Sequence, residues 1–436
     1  ERDMREFVPA LDSEYIIDGA RMELTPRQIL EEAVGEFHRS HPAANLEHDD
    51  YQTDTDKSTG TAAEPLIDES VDPSPESNAF SSEKIFEYLG EVTSSTLKPR
   101  NIPRFFPEET TRAEIATGLI RTIWKTGHFR LDDLIIDITW EWETSEVGDM
   151  TAFYKSVEAA CSYLDMLDIR LGGYHFQEVT GTQDEGKTEG CRIKFNIYVE
   201  KSENIQSADD SDEPIDIAET IDREIMNTPD MNPALPLCEL PFRTSSPVLG
   251  KSRKCQVHVS DNIGNWLIYI PFDTCKFRLG GSLLAEKTGL AGGKAPDIMD
   301  SDYFIDCFEV VREFVEDGVI VSGAATGPGG LIATLNRMSN GMTAGIDADI
   351  SGICRSYGET DITRILFSEV PGAVVEIRDS DFDYMDAEML LQDVAYYPIG
   401  HPGKPGLRIT SGNQDGVAGI LQSLLGQEDI VPEGED

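Results

Sequence analysis

From Trp266 to Thr410 the chain alternates short apolar runs with helical patterns, and glycine turns separate them. This alternation restricts the fold more than any other feature of the sequence. It opens with an expected strand at Trp266–Phe272, then the tight turn Gly280-Gly281-Ser282 before a helix around Leu284. A helix over Phe304–Asp317 and a strand at Val319–Val321 follow. The turn Gly327-Pro328-Gly329-Gly330 starts another helix that runs through Met338. Strands at Ile365–Phe367 and Val374–Ile377, a helix near Met385–Leu391, and strands near Ala395–Ile399 and Leu407–Thr410 complete an α/β pattern.

The part before Trp266 reads as a second mixed lobe. A helix is expected at Thr111–Trp124, with Ile115, Leu119, Ile120 and Ile123 on one stripe, and a strand at Leu134–Trp142. Gly148-Asp149-Met150-Thr151 leads into a helix over Ala152–Leu167, where Phe153, Val157, Ala160, Cys161, Leu164 and Leu167 recur at helical spacing. An extended segment begins at Ile169–Leu171, and a strand at Ile193–Val199 closes the lobe. Near the start, Thr25 is placed as an N-cap with Pro26 in the first helical position of a short helix through Phe37.

Charge then divides the chain. There are 81 acidic and 36 basic residues, a formal net charge of -45, so phosphate backbones and anionic lipid heads are repelled. Neither nucleic acid nor membrane is an expected partner, and no run of about 18 apolar residues is present to span a bilayer. The acid is concentrated in Glu47–Asp56, Asp209–Glu213 and Glu428–Asp436, which reads as solvated linker. Residues 40–80 hold too few apolar side chains to offset their ordering entropy and are expected to be disordered. Acidic residues and prolines dominate Glu200–Arg243, where a boundary or insertion is placed.

The resulting domain plan has a divergent segment and acidic linker over 1–80, a first lobe over 81–225, a linker over 226–255, a second lobe over 256–425 and an acidic tail over 426–436. Seven cysteines lie in apolar contexts without a C-x-x-C pair, and no signal-peptide pattern begins the chain. They read as buried small side chains in a reducing, cytoplasmic setting. The first residue is Glu1, so the chain could be a processed product or a fragment.

Several stretches, taken in order, resemble one family. Gly148-Asp149-Met150-Thr151-Ala152-Phe153-Tyr154 is similar to a helix start in the second synthetase half of phosphoribosylformylglycinamidine synthase. Leu279-Gly280-Gly281-Ser282, Gly329-Gly330-Leu331-Ile332-Ala333-Thr334-Leu335, Gly345-Ile346-Asp347-Ala348-Asp349-Ile350 and Leu366–Val375 resemble that half's carboxy-terminal subdomain. The resemblance runs from about 110 to 412, and residues 1–100 match nothing recognisable. It implies an α/β (α+β) fold of the AIR-synthetase-like two-lobe type, with mixed sheets packed with helices in a pseudo-dimer.

By the same resemblance the family converts an amide to an amidine with ATP in purine biosynthesis. The amide oxygen is activated by phosphoryl transfer, and a separate glutaminase domain supplies ammonia. Phosphoryl transfer of this kind uses magnesium held by hard oxygen ligands, and here those ligands are replaced. The family's metal-helix Glu and Asn align with Gly118 and Thr122, and the Asp and Ser of its glycine turn align with Ala325 and Gly327. Its Gly-Lys-Asp-Ser-Met-Ser stretch is replaced by Gly173-Tyr174-His175-Phe176-Gln177-Glu178, and its Ser-Ala-Asn-Trp segment by Ile138-Thr139-Trp140. Glu369 and Asp149 keep their chemical type.

The candidate nucleotide-binding residues are therefore Gly327, Gly329, Gly330, Glu369 and Asp149, with no catalytic and no metal-ligating residue assigned. Gly327–Gly330 could cradle a phosphate on backbone N–H groups or simply connect a strand to a helix. Glu369 could serve a site or cap a turn, His175 could be a base or a partnerless surface or core histidine, and Trp140, Trp142 and Tyr154 read as core or subunit-contact aromatics. No cofactor is expected, or ATP or ADP with magnesium if the chain is an enzyme.

Three functional readings follow. The first is a degenerate synthetase half acting as a structural, non-catalytic module. In the second the chain is an active ligase subunit completed by a partner half, and in the third a pseudoenzyme scaffold of the viral tegument type. Each expects a protein partner, a complementary synthetase half or a homo-dimer.

Overall fold

The computed structural model describes residues 9–40, 64–73, 84–85, 88–89, 100–179, 190–199, 253–289, 293–340 and 343–411. These fall into two compact units. The described residues up to 73, together with 100–122 and 126–199, form the first; residues 84–89, 123–125 and 253–411 form the second. Most of the expected linkers at 40–80, 200–243 and 226–255, the 426–436 tail and Cys238 lie outside the described residues.

In the first unit, helix α1 (Pro9–Asp12) leads to strands β1 (Tyr15–Ile17) and β2 (Ala20–Arg21) and then helix α2 (Pro26–Ser40). Strand β3 (Leu66–Asp68) pairs in parallel with β1, Tyr15 opposite Leu66. That strand lies inside the segment expected to be disordered. Ser70 of that segment donates its N–H to Asp18 at 2.8 Å, and Asp68 reaches a helix start described below. The described residues 9–40 and 64–73 belong to the first unit.

Helix α3 (Pro107–Thr122), strand β4 (Leu134–Trp142), helix α4 (Asp149–Met166), strand β5 (Arg170–Glu178) and strand β6 (Arg192–Val199) form the rest of this unit. The sheet order is β5-β4-β6, parallel on one side of β4 and antiparallel on the other. Leu134, Ile136, Ile138, Trp140 and Trp142 alternate along β4 and are all buried, as period-two geometry requires of one sheet face. Trp140 and Trp142 meet the Phe153 ring of α4 at 6.3 and 5.7 Å, and their indole N–H groups donate to Ser156 Oγ and to the Asp149 carbonyl. A buried indole needs such a partner. The register of β4 and β5 slips at Gly172, where a Cβ would come within 2.4 Å of the Tyr198 hydroxyl and 2.7 Å of Asp137.

The second unit is built on six strands in the order β12-β9-β11-β7-β10-β8. In chain order its elements are β7 (Trp266–Pro271), α5 (Leu283–Thr288), α6 (Ser301–Glu316), β8 (Ile320–Thr326), α7 (Gly330–Ser339), β9 (Gly345–Asp349), α8 (Ser351–Tyr357), α9 (Ile362–Phe367), β10 (Gly372–Ile377), α10 (Phe382–Leu391), β11 (Tyr397–Gly403) and β12 (Leu407–Thr410). Only β9 and β12 pair in parallel; the other neighbours are antiparallel. One cluster of buried side chains joins β7, α7, β9 and α9 with Ile85, Tyr88 and Leu89. Those three come from the segment assigned to the first lobe by sequence.

Two elements differ from expectation. Ile365–Phe367 is not a strand but the end of helix α9, because the Asp361 side chain caps its start by accepting from the Thr363 N–H at 3.0 Å. Helix α3 stops at Thr122 rather than Trp124, and residues 123–125 pack into the second unit. The buried Arg312 guanidinium holds them, donating to the carbonyls of Ile123 and Lys125 at 2.6 and 2.7 Å. The Trp124 ring lies where a Cβ on Gly323 would stand, 2.6 Å away.

Candidate functional site

The glycine turn and Glu369 come together in the second unit. Gly329 and Gly330 have positive φ, +84° and +74°, which turns the chain sharply from β8 into α7. A Cβ on Gly330 would stand 2.5 Å from the Leu366 carbonyl, so the turn is pressed against the end of α9. Glu369 follows that helix end and is 2% exposed. Its Oε1 accepts from the Gly329 N–H at 2.8 Å and from the Leu283 N–H at 2.7 Å. The Gly330 N–H is taken by the Gly327 carbonyl at 2.8 Å.

The N–H groups that could receive a phosphate therefore already face an internal carboxylate. Leu283 is the first residue of α5 and Gly329 caps α7, so one buried charge sits at the starts of two helices, where it is favoured. Ala325 is buried and opposite Ala373 in the β8–β10 ladder. Its carbonyl accepts from Thr334 Oγ1 at 3.2 Å and from Arg337 at 3.1 Å.

Asp149 is in the other unit and so is not part of this turn. It is buried at the start of α4, accepts from the Glu146 N–H at 2.8 Å and lies 3.2 Å from Arg104 Nε. Burial holds its carboxyl above the usual range; the Glu146 hydrogen bond and Arg104 pull it back only in part. The residue sequence reasoning missed is Asp68. Its Oδ1 accepts from the Gly148 N–H at 2.8 Å, and its Oδ2 from the N–H groups of Met150 and Thr151 at 3.1 and 2.9 Å. An internal carboxylate thus occupies the N-terminus of this 18-residue helix as well.

The remaining candidates are held by their surroundings. Gly118 on α3 packs against Phe195, whose ring carbon would lie 3.2 Å from a Cβ there, and the Thr122 hydroxyl donates to the Leu119 carbonyl at 2.7 Å. His175 is half-buried on β5 opposite Thr139, and burial lowers its pKa. Tyr154 donates to the Leu24 carbonyl at 3.1 Å and stacks obliquely on Tyr15. Cys191, Cys255 and Cys307 are buried, and burial raises the thiol pKa of Cys161 and Cys191 to about 12, where they are unreactive. Among the described residues there is no group of three or more His, Cys, Asp or Glu side chains that could hold a metal ion. No described helix is long and apolar enough to cross a membrane.

No family model matches the chain. Among curated proteins it is 31% identical over 135 residues to the probable chloroplastic/mitochondrial phosphoribosylformylglycinamidine synthase of Arabidopsis thaliana, a span covering 31% of this chain and 9% of that protein. The Homo sapiens phosphoribosylformylglycinamidine synthase is 25% identical over 140 residues, 32% of this chain and 10% of its own length. The chain is a relative of phosphoribosylformylglycinamidine synthase. The matched span is about a tenth of the length of these relatives. Among solved structures, T. maritima PurL complexed with FGAR aligns over 79% of this chain and 46% of its own, with 12% identity and a TM-score of 0.44. The E. coli hydrogenase maturation protein HypE aligns over 72% of this chain and 78% of its own, with 10% identity and a TM-score of 0.39.

Proposed function

We propose that this relative of phosphoribosylformylglycinamidine synthase is a degenerate synthetase half, a folded module that binds no nucleotide and contributes structure to an assembly. The observation that carries the reading is Glu369. Its buried carboxylate occupies the Gly329 and Leu283 N–H groups, so a nucleotide phosphate there would have to displace one negative charge with several. Displacement takes both donors from one buried carboxylate oxygen, at a desolvation cost of about 1–3 kcal/mol.

The residue types aligned with the family's metal ligands support the same reading. Gly118, Thr122, Ala325 and Gly327 offer no side-chain carboxylate or amide oxygen to a hard cation, which magnesium requires in near-octahedral geometry. Neither the first-unit pair nor the second-unit pair suits the magnesium of ATP or ADP, so no phosphoryl-transfer step is assigned to either. The partner the module serves is a complementary synthetase half, a second copy of the chain, or another protein. T. maritima PurL complexed with ATP supplies the contrast for a test. Native mass spectrometry of the purified chain, incubated with magnesium and ATP, is expected to give the polypeptide mass alone; a retained nucleotide mass would overturn the proposal.

A further inference from the structure

Helices α6 and α10 of the second unit present an outer face of one charge sign. Helix α6 carries Asp302, Asp306, Glu309, Glu313 and Glu316, and α10 carries Asp383, Asp386 and Glu388. The single basic residue on either helix is Arg312, which is 0% exposed and turned inward to the Ile123 and Lys125 carbonyls. Two nearby cations are engaged at the far end of α6. Lys254 donates to the Glu316 carbonyl, and Arg378 donates to the Gly318 carbonyl while pairing with Asp381.

Exposed apolar side chains stand among the acidic residues of α10. Met385 and Met389 turn one side of α10 into the core, while Tyr384, Leu390 and Leu391 on the other side are 43%, 70% and 76% exposed. Tyr384 rests edge-on against Phe314 of α6 and lies within the field of Glu388, Asp317 and Glu313. Directly after Leu391 the chain turns at Asp393, φ 55°, into an open cleft of about 530 Å³ lined by Asp300, Tyr303, Asp306, Asp393 and Tyr397. An exposed apolar strip that runs into an aromatic and acidic cleft is complementary to apolar side chains flanked by cations.

We propose that the α6–α10 face docks a basic amphipathic segment of a partner protein. Its apolar side chains cover Tyr384, Leu390 and Leu391, and one arginine or lysine enters the cleft between Asp300, Asp306 and Asp393. Tyr303 and Tyr397 line the cleft with aromatic rings, the side-chain type on which a guanidinium stacks. The surface lies outside the glycine turn, so the inference goes beyond the proposed function and holds whether or not nucleotide binds.

The test uses the full 436-residue chain and two fluorescent peptides of about 18 residues with identical lysine and leucine content, long enough for several helical turns. One places its leucines on a single helical face; the other is scrambled so that no face is apolar. The amphipathic peptide is expected to bind at least tenfold more tightly, with affinity falling as salt rises. Leu390→Ser/Leu391→Ser should cost at least tenfold with an unchanged melting temperature, and Asp306→Asn/Asp393→Asn should flatten the salt dependence. Equal binding of both peptides would reduce the effect to the general attraction of an acidic chain and overturn the proposal. So would an unaffected leucine double variant. Sedimentation that finds a dimer lost on Leu390→Ser/Leu391→Ser would name a different occupant and also overturn it.

Discussion

The two units solve one problem with carboxylates of different origin. In the second unit Glu369 stands just past the end of α9 and accepts from N–H groups 40 and 86 residues earlier, at the starts of α7 and α5. In the first unit Asp68 comes from 80 residues before Gly148, on a three-residue strand that exists only by pairing with β1. Burial differs as well: Glu369 is 2% exposed, while Asp68 is half-buried. The fully buried tie is closed to water, and the half-buried tie stays partly wet. The energetic consequence of removing each should follow that order.

Glu369→Ala should have the largest effect, because the N–H groups of Leu283 and Gly329 are left buried and unpaired. A loss of about 4 kcal/mol in urea denaturation is expected from the cost of two such groups. Hydrogen exchange should show the loosening confined to the starts of α5 and α7. Gly330→Ala tests the same motif from the backbone side. With φ +74° and a Cβ 2.5 Å from the Leu366 carbonyl, strain and overlap together should cost about 3 kcal/mol by the same measurement. A Gly330→Ala variant of normal stability would mean that the turn is not pressed against α9.

Asp68→Ala should cost less, about 2 kcal/mol, since water can reach the freed N–H groups of Gly148, Met150 and Thr151. Faster exchange should appear at the start of α4, with no change at α7. If Asp68→Ala proves more damaging than Glu369→Ala, the distinction between buried and half-buried ties fails.

The smallest effect is a pH dependence from Asp149. Its carboxyl pKa is raised in the folded state, by burial first, so the folded protein holds the proton to higher pH than the unfolded chain does. This group therefore favours folding most below the ordinary aspartate pKa of about 4, and the contribution is lost as pH rises through the folded value. Asp149→Asn removes that term. Denaturation midpoints from about pH 4 upward should decline less in the variant than in the wild-type protein.

The comparison also marks what the residues reveal before any fold is known. The glycine pattern of Gly327–Gly330, the strand at Trp266 and the helix after Gly148 are legible because turn chemistry and periodicity act locally. Ile365–Phe367 reads wrongly as a strand because three apolar residues carry no period, although Asp361 offers a cap signal. Leu66–Asp68 is not legible at all. A three-residue strand in acidic surroundings resembles linker until its partner at Tyr15–Ile17 is known, and the role of Asp68 depends on that pairing. Glu369 stands out as a chemical type, but its hydrogen bonds to Leu283 and Gly329 join segments 86 and 40 residues away. The exposed leucines of α10 are part of an expected helix; their exposure follows only from which side Met385 and Met389 bury.

The central claim is that Glu369 occupies the place a nucleotide phosphate would need. A thermal-shift titration of the wild-type chain with ATP and ADP, each with magnesium, tests it most directly. Saturation of a native-state site at about a hundred times its Kd adds about 2.7 kcal/mol, which moves a melting temperature by several degrees. The account predicts an unchanged melting temperature up to millimolar nucleotide. A saturable upward shift of several degrees would contradict it.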